Sequence, residues 1–336
     1  MRLALFKLRL FLLVVVLSTF FPLGAAEGVK ITELPGKLRI EINGKHFSDY
    51  IYEGMSRPVL YPLLDAEGVN VTRHWPLKEG MPDEEHDHPH HRSWWYAHGD
   101  INGHDFWSEN KTAGKTVHAK FLAIESGAKK GVIKSANNLM SQAGQRVASD
   151  ERTLTFYATK DQRVFDFSIT MFASEGPLKF GDTKEGTLAI RLAETMRLKG
   201  KVGKGHIVNS EGIRDADTWG KRAAWVDYYG PVEGKIRGVA IFDHPSNPRH
   251  PTWWHVRDYG LFAVNPFGLH DFEKKPKGSG DLIVPAGEKI TFNYRFVIHA
   301  GDEKEGKVKE QFDQYAKISG WCKEFCVKGQ SGRASQ

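Results

Sequence analysis

Histidines are concentrated in one short segment of this sequence. Six of the fifteen histidines lie between His86 and His104, in the run HDHPHHRSWWYAHGDINGH, among acidic, basic and aromatic residues. Histidine is the only side chain whose ordinary pKa lies near neutrality, so such a cluster could move protons, bind a metal or hold an oxyanion. The alternative is a solvated loop, but histidines clustered with acids and tryptophan more often mark a functional site.

The alternation of residue types in this run predicts a β-strand from His90 to His98. Side chains of a strand alternate between its two faces. One face would carry His90, Arg92, Trp94, Tyr96 and His98, and the other would carry His91, Ser93, Trp95 and Ala97. Pro89 is tolerated at the start of a strand, and Asp100–Gly103 has the composition of a turn after its end. Because His90 and His91 point to opposite faces, at most one of them joins a site on a regular strand.

A second segment, His244 to Phe272, repeats the mixture of histidine, tryptophan, arginine and aspartate. Its polar members are His244, His250, His255, Arg257, His270 and Asp271. Loops with such residues on a β scaffold are common places for binding sites. If the two histidine-rich segments converge in space, they form one cleft. The alternative is that Trp253 and Trp254 are core residues and that the prolines of this segment only stiffen a connection.

A third segment, Phe180 to Met196, places charged residues just before an alternating strand. Asp182, Lys184 and Glu185 precede Gly186, so they would lie at the mouth of the strand. A carboxylate there could act as a general base if partial burial raised its pKa towards neutrality. The alternative is an ordinary charged turn. A fourth segment, Val208 to Gly230, has residues that could hold sugar hydroxyls or stack on sugar rings, and these are also ordinary loop residues. They are Asn209, Glu211, Trp219, Lys221, Asp227 and Tyr228.

Period-two alternation recurs along the chain and predicts an all-β fold. Arg163–Ala173 and Ile290–Ile298 each place apolar residues on one face and polar residues on the other, as half-buried antiparallel strands do. Shorter strands are predicted at Lys37–Ile42, Lys120–Glu125, Thr153–Thr159, Thr187–Arg197, Gly234–Phe242 and Tyr259–Val264. Turn-rich pieces separate them, which favours a large antiparallel β-sandwich. One C-terminal helix is predicted from about Glu303 to Ser319, packed outside the sheets.

The N-terminal segment has the features of a secretory signal peptide. Positive residues precede an apolar stretch from Leu10 to Phe21, and small residues follow, so we expect cleavage after Ala26. The apolar stretch is short for a membrane span. We therefore expect an exported, periplasmic protein with no stable membrane insertion. Residues 27–327 are expected to form one β-sandwich domain, and residues 328–336 a disordered tail.

Charge and cysteine content narrow the function classes further. The net charge of +6 falls to +3 once the three positive charges of the signal peptide are removed. Because lysine and arginine are scattered along the chain, this charge indicates solubility and not nucleic-acid binding. Cys322 and Cys326 either close a small disulfide loop or stay free thiols, and neither reading makes them catalytic. The sequence lacks the serine-hydrolase elbow, the Walker and dinucleotide loops, H-E-x-x-H and paired C-x-x-C.

Four strings together resemble a bacterial exported family named PmoA-like, over roughly residues 30 to 315. They are DHPHHRSWWYAHGDINGHDFW, FGDTKEGTLAIRLAETM, WGKRAAWVDYYG and HPSNPRHPTWWHVRDYGLFAVNPFG. The name alludes to a methane monooxygenase subunit with several membrane-spanning helices, a pattern that this sequence contradicts, so methane oxidation is not expected. The resemblance implies a β-sandwich similar in class to the galactose-mutarotase-like supersandwich folds. His90, His91 and Glu185 are the nearest analogues, by residue type, of the histidines and carboxylate that mutarotases use, but the mutarotase motifs are not present, and fold does not fix function.

These observations lead to the hypothesis of a periplasmic carbohydrate-active enzyme of the lyase, hydrolase or epimerase type. In this scheme His90 or His91 moves a proton, Arg92 steadies an anionic oxygen, and Glu185 acts as base or acid. The predicted substrate-binding residues are Trp94, Trp95, His98, Asp182, Lys184, Glu211, Trp253, Trp254, His255 and Arg257.

Three alternatives to this scheme remain open. In a metal-assisted variant, a divalent ion is held by some of His88, His90, His98 and Asp100, because imidazole and carboxylate suit zinc, manganese or nickel. A non-catalytic glycan-binding protein of a polysaccharide-utilisation system would need the tryptophans but no proton transfer. A metal-storing or metal-sensing protein would bind metal and no glycan.

Overall fold

The computed structural model describes residues 27–318, and β-strands dominate this part of the chain. The strands in chain order are β1 (Val29–Leu34), β2 (Lys37–Ile42), β3 (Lys45–Ile51), β4 (Val59–Tyr61), β5 (Trp94–His98), β6 (Lys115–Glu125), β7 (Lys130–Met140), β8 (Arg146–Tyr157), β9 (Arg163–Phe172), β10 (Leu178–Phe180), β11 (Gly186–Arg191), β12 (His206–Asn209), β13 (Arg222–Ala223), β14 (Trp225–Val232), β15 (Lys235–Asp243), β16 (Thr252–Val256), β17 (Leu261–Val264), β18 (Leu282–Val284) and β19 (Lys289–Ala300). The α-helices of these residues are α1 (Leu269–Glu273) and α2 (Val308–Tyr315), and short 3₁₀ turns lie at Glu194–Met196 and Asp215–Thr218.

The strands form two large antiparallel sheets and one small one. A nine-stranded sheet has the order β1-β2-β3-β4-β5-β11-β17-β16-β13, and an eight-stranded sheet has the order β12-β14-β15-β19-β9-β8-β7-β6. β10 and β18 pair separately. The predicted all-β, sandwich-like fold with a C-terminal helix is confirmed. In the nine-stranded sheet, β5, β11, β17 and β16 are successive neighbours although they are far apart in sequence.

The main hydrophobic core lies between the two large sheets. The alternation predicted for β9 and β19 turns Phe167 and Phe296 into this core, where both are fully buried. From the opposite sheet, Trp94 and Tyr96 of β5 enter the same core, and the ring centres of Trp94 and Phe167 are 5.0 Å apart. Trp94 therefore contributes to the packing of the sandwich.

Smaller apolar clusters cover the outer faces of both sheets. On the eight-stranded sheet, Phe242 packs against Val308 and Tyr315 of α2, so the helix lies outside the sheets as expected. On the nine-stranded sheet, Trp95 of β5 packs with Trp107 and Leu261. This second cluster forms an apolar floor on the outer face of the nine-stranded sheet.

Several predicted boundaries are wrong: β6 and β8 begin at Lys115 and Arg146, before the predicted Lys120 and Thr153, and β11 ends at Arg191, before the predicted Arg197. Two further errors have a local backbone cause. The strand predicted from His90 begins at Trp94, because His88 and Ser93 have left-handed φ angles of 45° and 56° and the amide of His91 donates to the carbonyl of His88, which makes a turn. The helix predicted from Glu303 begins at Val308, since Lys307 has a φ of 49°.

Several predictions fall outside the described residues. They concern the signal peptide at residues 1–26, Cys322 and Cys326, and the tail at residues 328–336. The single-domain assignment stays a prediction. Within residues 27–318, no helix combines the length and apolar character needed to cross a bilayer.

Candidate functional site

A cavity of about 560 Å³ opens on the outer face of the nine-stranded sheet. Four chain segments line it: the turn before β5, the loop after β5, the residues before β11, and the segment from the end of β16 into the following turn. The lining residues are His88, His90, His91, Gly99, Asp105, Trp107, Ser108, Thr183, Lys184, Glu185, His255, Arg257 and Tyr259. The two histidine-rich segments therefore converge, and the charged residues before β11 join them.

Stacked rings connect the two histidine-rich segments. The ring of His88 lies parallel to that of Tyr259, with centres 5.2 Å apart, and to that of His91, with centres 4.7 Å apart. His91 also stacks on Trp95, at 5.2 Å, so it rests on the apolar floor of the cavity. This packing fixes the planes of the imidazoles and leaves their ring edges for hydrogen bonding.

Asp87 anchors the ring of His88. One carboxylate oxygen of Asp87 accepts hydrogen bonds from the fully buried Arg73 and Arg191, and the other lies 2.8 Å from Nδ1 of His88. Burial by itself raises the pKa of Asp87, but the hydrogen bond from His88 and the charges of Arg191 and Arg73 outweigh burial and hold this pKa below its usual range. Because an ionised carboxylate only accepts, Nδ1 of His88 donates, and in the neutral ring Nε2 is the atom that carries the lone pair.

His91 and His255 are held in the opposite tautomer. A guanidinium and an indole only donate hydrogen bonds, so Nδ1 of His91 accepts from Arg191 at 3.1 Å, and Nδ1 of His255 accepts from Trp219 at 3.0 Å. Burial, reinforced by neighbouring positive charge, lowers the pKa of His91 well below its ordinary value and that of His255 to about 3. Both rings are therefore neutral at pH 7 and carry their proton on Nε2.

Further titratable groups complete the lining. The ring of His90 stands nearly perpendicular to that of His91, and burial, aided by the charge of Arg57, lowers the pKa of His90 to about 4. Burial raises the pKa of Tyr259 to about 12, so its hydroxyl keeps its proton at neutral pH. Glu185 forms an ion pair of 3.1 Å with Lys184. The cavity thus combines neutral imidazoles, a phenol and a carboxylate.

Some of the predicted site residues lie outside this cavity with other polar partners. Arg92 forms a two-pronged ion pair with Glu109, at 2.9 and 2.7 Å. Asp182 accepts hydrogen bonds from the backbone amides of His270 and Gly280, which fixes the loop before β11. Glu211 is exposed in a turn and bonds to the neighbouring Ser210.

The predicted tryptophans mostly serve the packing of the sheets. Trp94 and Trp254 are fully buried in the main core, and the indole of Trp254 donates to the carbonyl of Ala223. Trp95 is fully buried beneath His91. Trp253 does not line the cavity, and its indole donates to Glu273 at 2.8 Å. Among the predicted residues, His90, His91, Lys184, Glu185, His255 and Arg257 are the ones that the structure places on the cavity wall, together with His88 from the predicted metal set.

The proposed metal ligands do not form one group. His98 is fully buried, and its Nε2 lies 2.8 Å from the carbonyl oxygen of Gly181. Asp100 accepts the amide of Gly103 in the turn that follows β5. In residues 27–318, no three His, Cys, Asp or Glu side chains come together as a metal site.

The sequence analysis assigned no role to Asp87, Arg191 or Tyr259. For Asp87 a signal was present, because an acid directly before a histidine in the run HDHPHH is the simplest source of a hydrogen-bonded pair. For Arg191 the alternation of β11 shows only which face it occupies. Its contacts with Asp87 and His91 join segments about 100 residues apart, and no local pattern encodes them.

Comparisons with known proteins show similarity to carbohydrate-active enzymes at low identity. The chain is similar to a heparan sulfate lyase from Pedobacter heparinus (10% identity, TM-score 0.37, covering 83% of this chain and 36% of that one). It is also similar to an α-galactosidase from Lactobacillus brevis (9% identity, TM-score 0.41, covering 85% of this chain and 41% of that one). A third similar structure is a galactose 1-epimerase from Lactobacillus acidophilus (8% identity, TM-score 0.35, covering 79% of this chain and 95% of that one). This chain thus spans well under half the length of the lyase and of the galactosidase.

No curated protein matches the sequence. The sequence profile of a family of unknown function, DUF6807, matches residues 37–313. The chain belongs to this family.

Proposed function

We propose that this protein is an exported, periplasmic carbohydrate-active enzyme that acts on a glycoside or modified sugar by acid–base chemistry. The observation that carries the proposal is the Asp87–His88 pair, which opens into a cavity that also holds two neutral imidazole donors and Glu185. A histidine oriented by a fixed carboxylate is the usual arrangement of a general base. The resemblance to the PmoA-like family remains a prediction.

The arrangement assigns complementary roles around one reacting centre. His88 accepts a proton on Nε2, and Asp87 holds its tautomer and stabilises the imidazolium that forms. The Nε2–H groups of His91 and His255 donate to a substrate oxygen that gains negative charge, which neutral, fixed donors do without reorganisation. These roles fit proton abstraction, elimination or hydrolysis.

Other lining residues provide the second proton transfer and the sugar contacts. Glu185, His90 and the protonated hydroxyl of Tyr259 all line the cavity and are candidates for the second acid–base group. Trp107 and Tyr259 contribute apolar surface to the cavity wall. A cavity of about 560 Å³ lies within the size range of small-molecule sites, about 300–1,000 Å³.

A turnover screen with a histidine variant tests the proposal. The secreted chain is incubated with a panel of glycosides and oligosaccharides, and NMR follows anomeric exchange, new reducing ends and new vinyl protons. His88→Gln is expected to lower kcat about 100-fold or more with little change in KM, because acid–base catalysis contributes about 10²–10⁴ in rate. His206→Gln, an exposed residue outside the cavity, serves as the control and should keep wild-type rates.

Two outcomes would contradict the proposal. Equal turnover by the His88→Gln and His206→Gln variants would remove His88 from the mechanism. Tight glycan binding by the wild-type protein without any turnover would identify a glycan-binding protein, since such a protein needs no proton transfer.

A further inference from the structure

One cationic side chain of the cavity has no acidic partner. The other guanidiniums around it each have an acidic partner, since Arg73 and Arg191 share Asp87 and Arg92 binds Glu109. Arg257 has no ion pair and no side-chain hydrogen bond within residues 27–318, yet it lines the cavity. A guanidinium has five N–H donors, so this side chain has its hydrogen-bonding capacity available for a ligand.

Two aromatic rings hold this guanidinium in place. Its central carbon lies 5.3 Å from the ring centre of Tyr259 and 5.8 Å from that of Trp219. A cation–π contact does not pair the N–H groups with an acceptor, and contacts with two rings also reduce the conformational entropy lost on binding. The group is therefore held ready for a planar, two-pronged contact.

The backbone around Arg257 is equally fixed. Its amide donates to the carbonyl of Leu261 at 2.7 Å, and its carbonyl accepts from Gly260 at 3.1 Å, which closes a tight turn after β16. Gly260 has a φ of +88°, and a Cβ there would meet Arg197 at 3.0 Å, so the turn requires glycine. The turn also presents Tyr259, one of the two rings that hold the guanidinium.

The acids that line the cavity are already occupied. Asp105 accepts hydrogen bonds from the amides of Trp107 and Ser108, and Glu185 is paired with Lys184. Trp219 donates to Nδ1 of His255, so Nε2–H of His255 is a further donor on the same wall as Arg257. Arg257 is thus a cavity cation without an ion-pair partner, and it lies beside a neutral donor.

We infer that the sugar bound in this cavity carries an anionic substituent, a carboxylate or a sulfate ester, which pairs with Arg257. Arginine binds carboxylate and sulfate oxygens with two parallel N–H···O bonds, a geometry that lysine cannot reproduce. The inference rests on the proposed function, because it names the substrate class of the same site. Arg257 acts in substrate recognition, and proton transfer stays with the histidines.

A paired glycan array tests this inference. Uronate-containing glycans are printed beside their carboxyl-reduced forms, and sulfated glycans beside their desulfated forms. The wild-type chain should bind acidic members at least tenfold more tightly than their neutral counterparts, with affinity that falls as salt rises. Preference for the uronate pairs or for the sulfate pairs distinguishes the two sources of negative charge.

Arginine variants connect the preference to this residue. Arg257→Gln should lose the acidic preference, and Arg257→Lys should recover only part of it, because it restores the charge without the planar fork. Arg222→Gln is the matched control: Arg222 also stacks on an indole, that of Trp253 at 4.5 Å, but lies outside the cavity. Melting curves confirm that each variant is folded, and Arg257→Lys carries the test if Arg257→Gln does not fold.

The outcomes separate this inference from the proposed function. Equal binding of acidic and neutral glycans would overturn the acidic substrate, and an unchanged acidic preference in both Arg257 variants would overturn its pairing with Arg257. Either result would leave a carbohydrate-active enzyme standing. An equal loss of acidic and neutral binding in the variants would show a merely structural role and would also overturn it. If the wild-type protein binds no member of the array, both conclusions fail.

Discussion

At the scale of single residues, Asp87 makes the contacts on which the proposed role of His88 depends. It links two fully buried guanidiniums to the ring of His88. Asp87→Asn keeps the size of the side chain but removes its charge and one acceptor. We expect kcat to fall about 100-fold because His88 loses its fixed tautomer, and the free energy of unfolding to fall by about 1–3 kcal/mol because Arg73 and Arg191 lose charge-assisted hydrogen bonds. Steady-state kinetics and urea denaturation measure the two effects.

Asp83→Asn is the control for this substitution. Asp83 pairs with Lys201 on the surface, where both side chains are solvent-exposed, and such pairs contribute little to stability. The role assigned to Asp87 is refuted if both variants keep wild-type turnover, whatever their stability.

Residue types in this site were predictable from the sequence, but their partners were not. The segment singled out for its density of histidine and acid around His90 lines the cavity. The same alternation also placed Arg92 on the face of His90, whereas in the structure Arg92 binds Glu109, seventeen residues further along the chain. A charged side chain binds the nearest opposite charge in the folded protein, and sequence spacing does not reveal that distance.

At the scale of elements, strand prediction succeeded where alternation was long. β9 and β19 match their predicted ranges to within about two residues, because one face of each is uniformly apolar and must be buried. Between His90 and Ser93 the pattern also alternates, but a turn there depends on a single backbone hydrogen bond and on left-handed φ angles at His88 and Ser93. Side-chain pattern carries no information on these two features.

The burial of Trp94 gives a prediction for β5. Trp94→Ala should lower the free energy of unfolding by about 3–5 kcal/mol, since it removes a fully buried indole that contacts Phe165, Phe167 and Phe296. Val117→Ala, at an exposed position on β6, should change it by less than about 0.5 kcal/mol. Chemical denaturation measures both variants. A Trp94→Ala protein of wild-type stability that has lost glycan affinity would instead support the substrate-stacking role predicted from the sequence.

At the scale of the whole molecule, sheet topology assembles the cavity. β5, β11, β17 and β16 are hydrogen-bonded neighbours, so the turn before β5, the residues Thr183–Glu185 before β11 and the turn between β16 and β17 meet at one place. Each segment was recognisable in the sequence. Their convergence was not, because strand order depends on long-range pairing, whereas the sequence pattern reports only the faces of each strand.

Neutral buried histidines at this place make stability depend on pH. The pKa of His255 is about 3 in the folded protein, mainly through burial, and about 6.5 in the unfolded chain. Below pH 6.5 the unfolded chain binds a proton that the folded protein excludes, so His255 lowers stability as the pH falls from 6.5 towards 3, by about 1.4 kcal/mol per pH unit at most. His255→Gln should therefore flatten the plot of unfolding free energy against pH in this range. Urea denaturation at half-unit pH intervals gives the slopes.

A second buried histidine supplies a control of opposite sign. His299 is buried beside Asp227, at 3.2 Å, and although burial opposes it, the charge and hydrogen bond of Asp227 raise the pKa of His299. A raised folded-state pKa adds stability that is fully present below about pH 6.5 and is lost as the pH rises further. His299→Gln should then leave the slope of unfolding free energy against pH unchanged below pH 6.5. Above pH 6.5 it should remove a decline in the unfolding free energy. If both variants have the wild-type slope in both ranges, the two histidines titrate alike in the folded and unfolded states, and the neutral imidazoles assigned to the cavity would lose their physical basis.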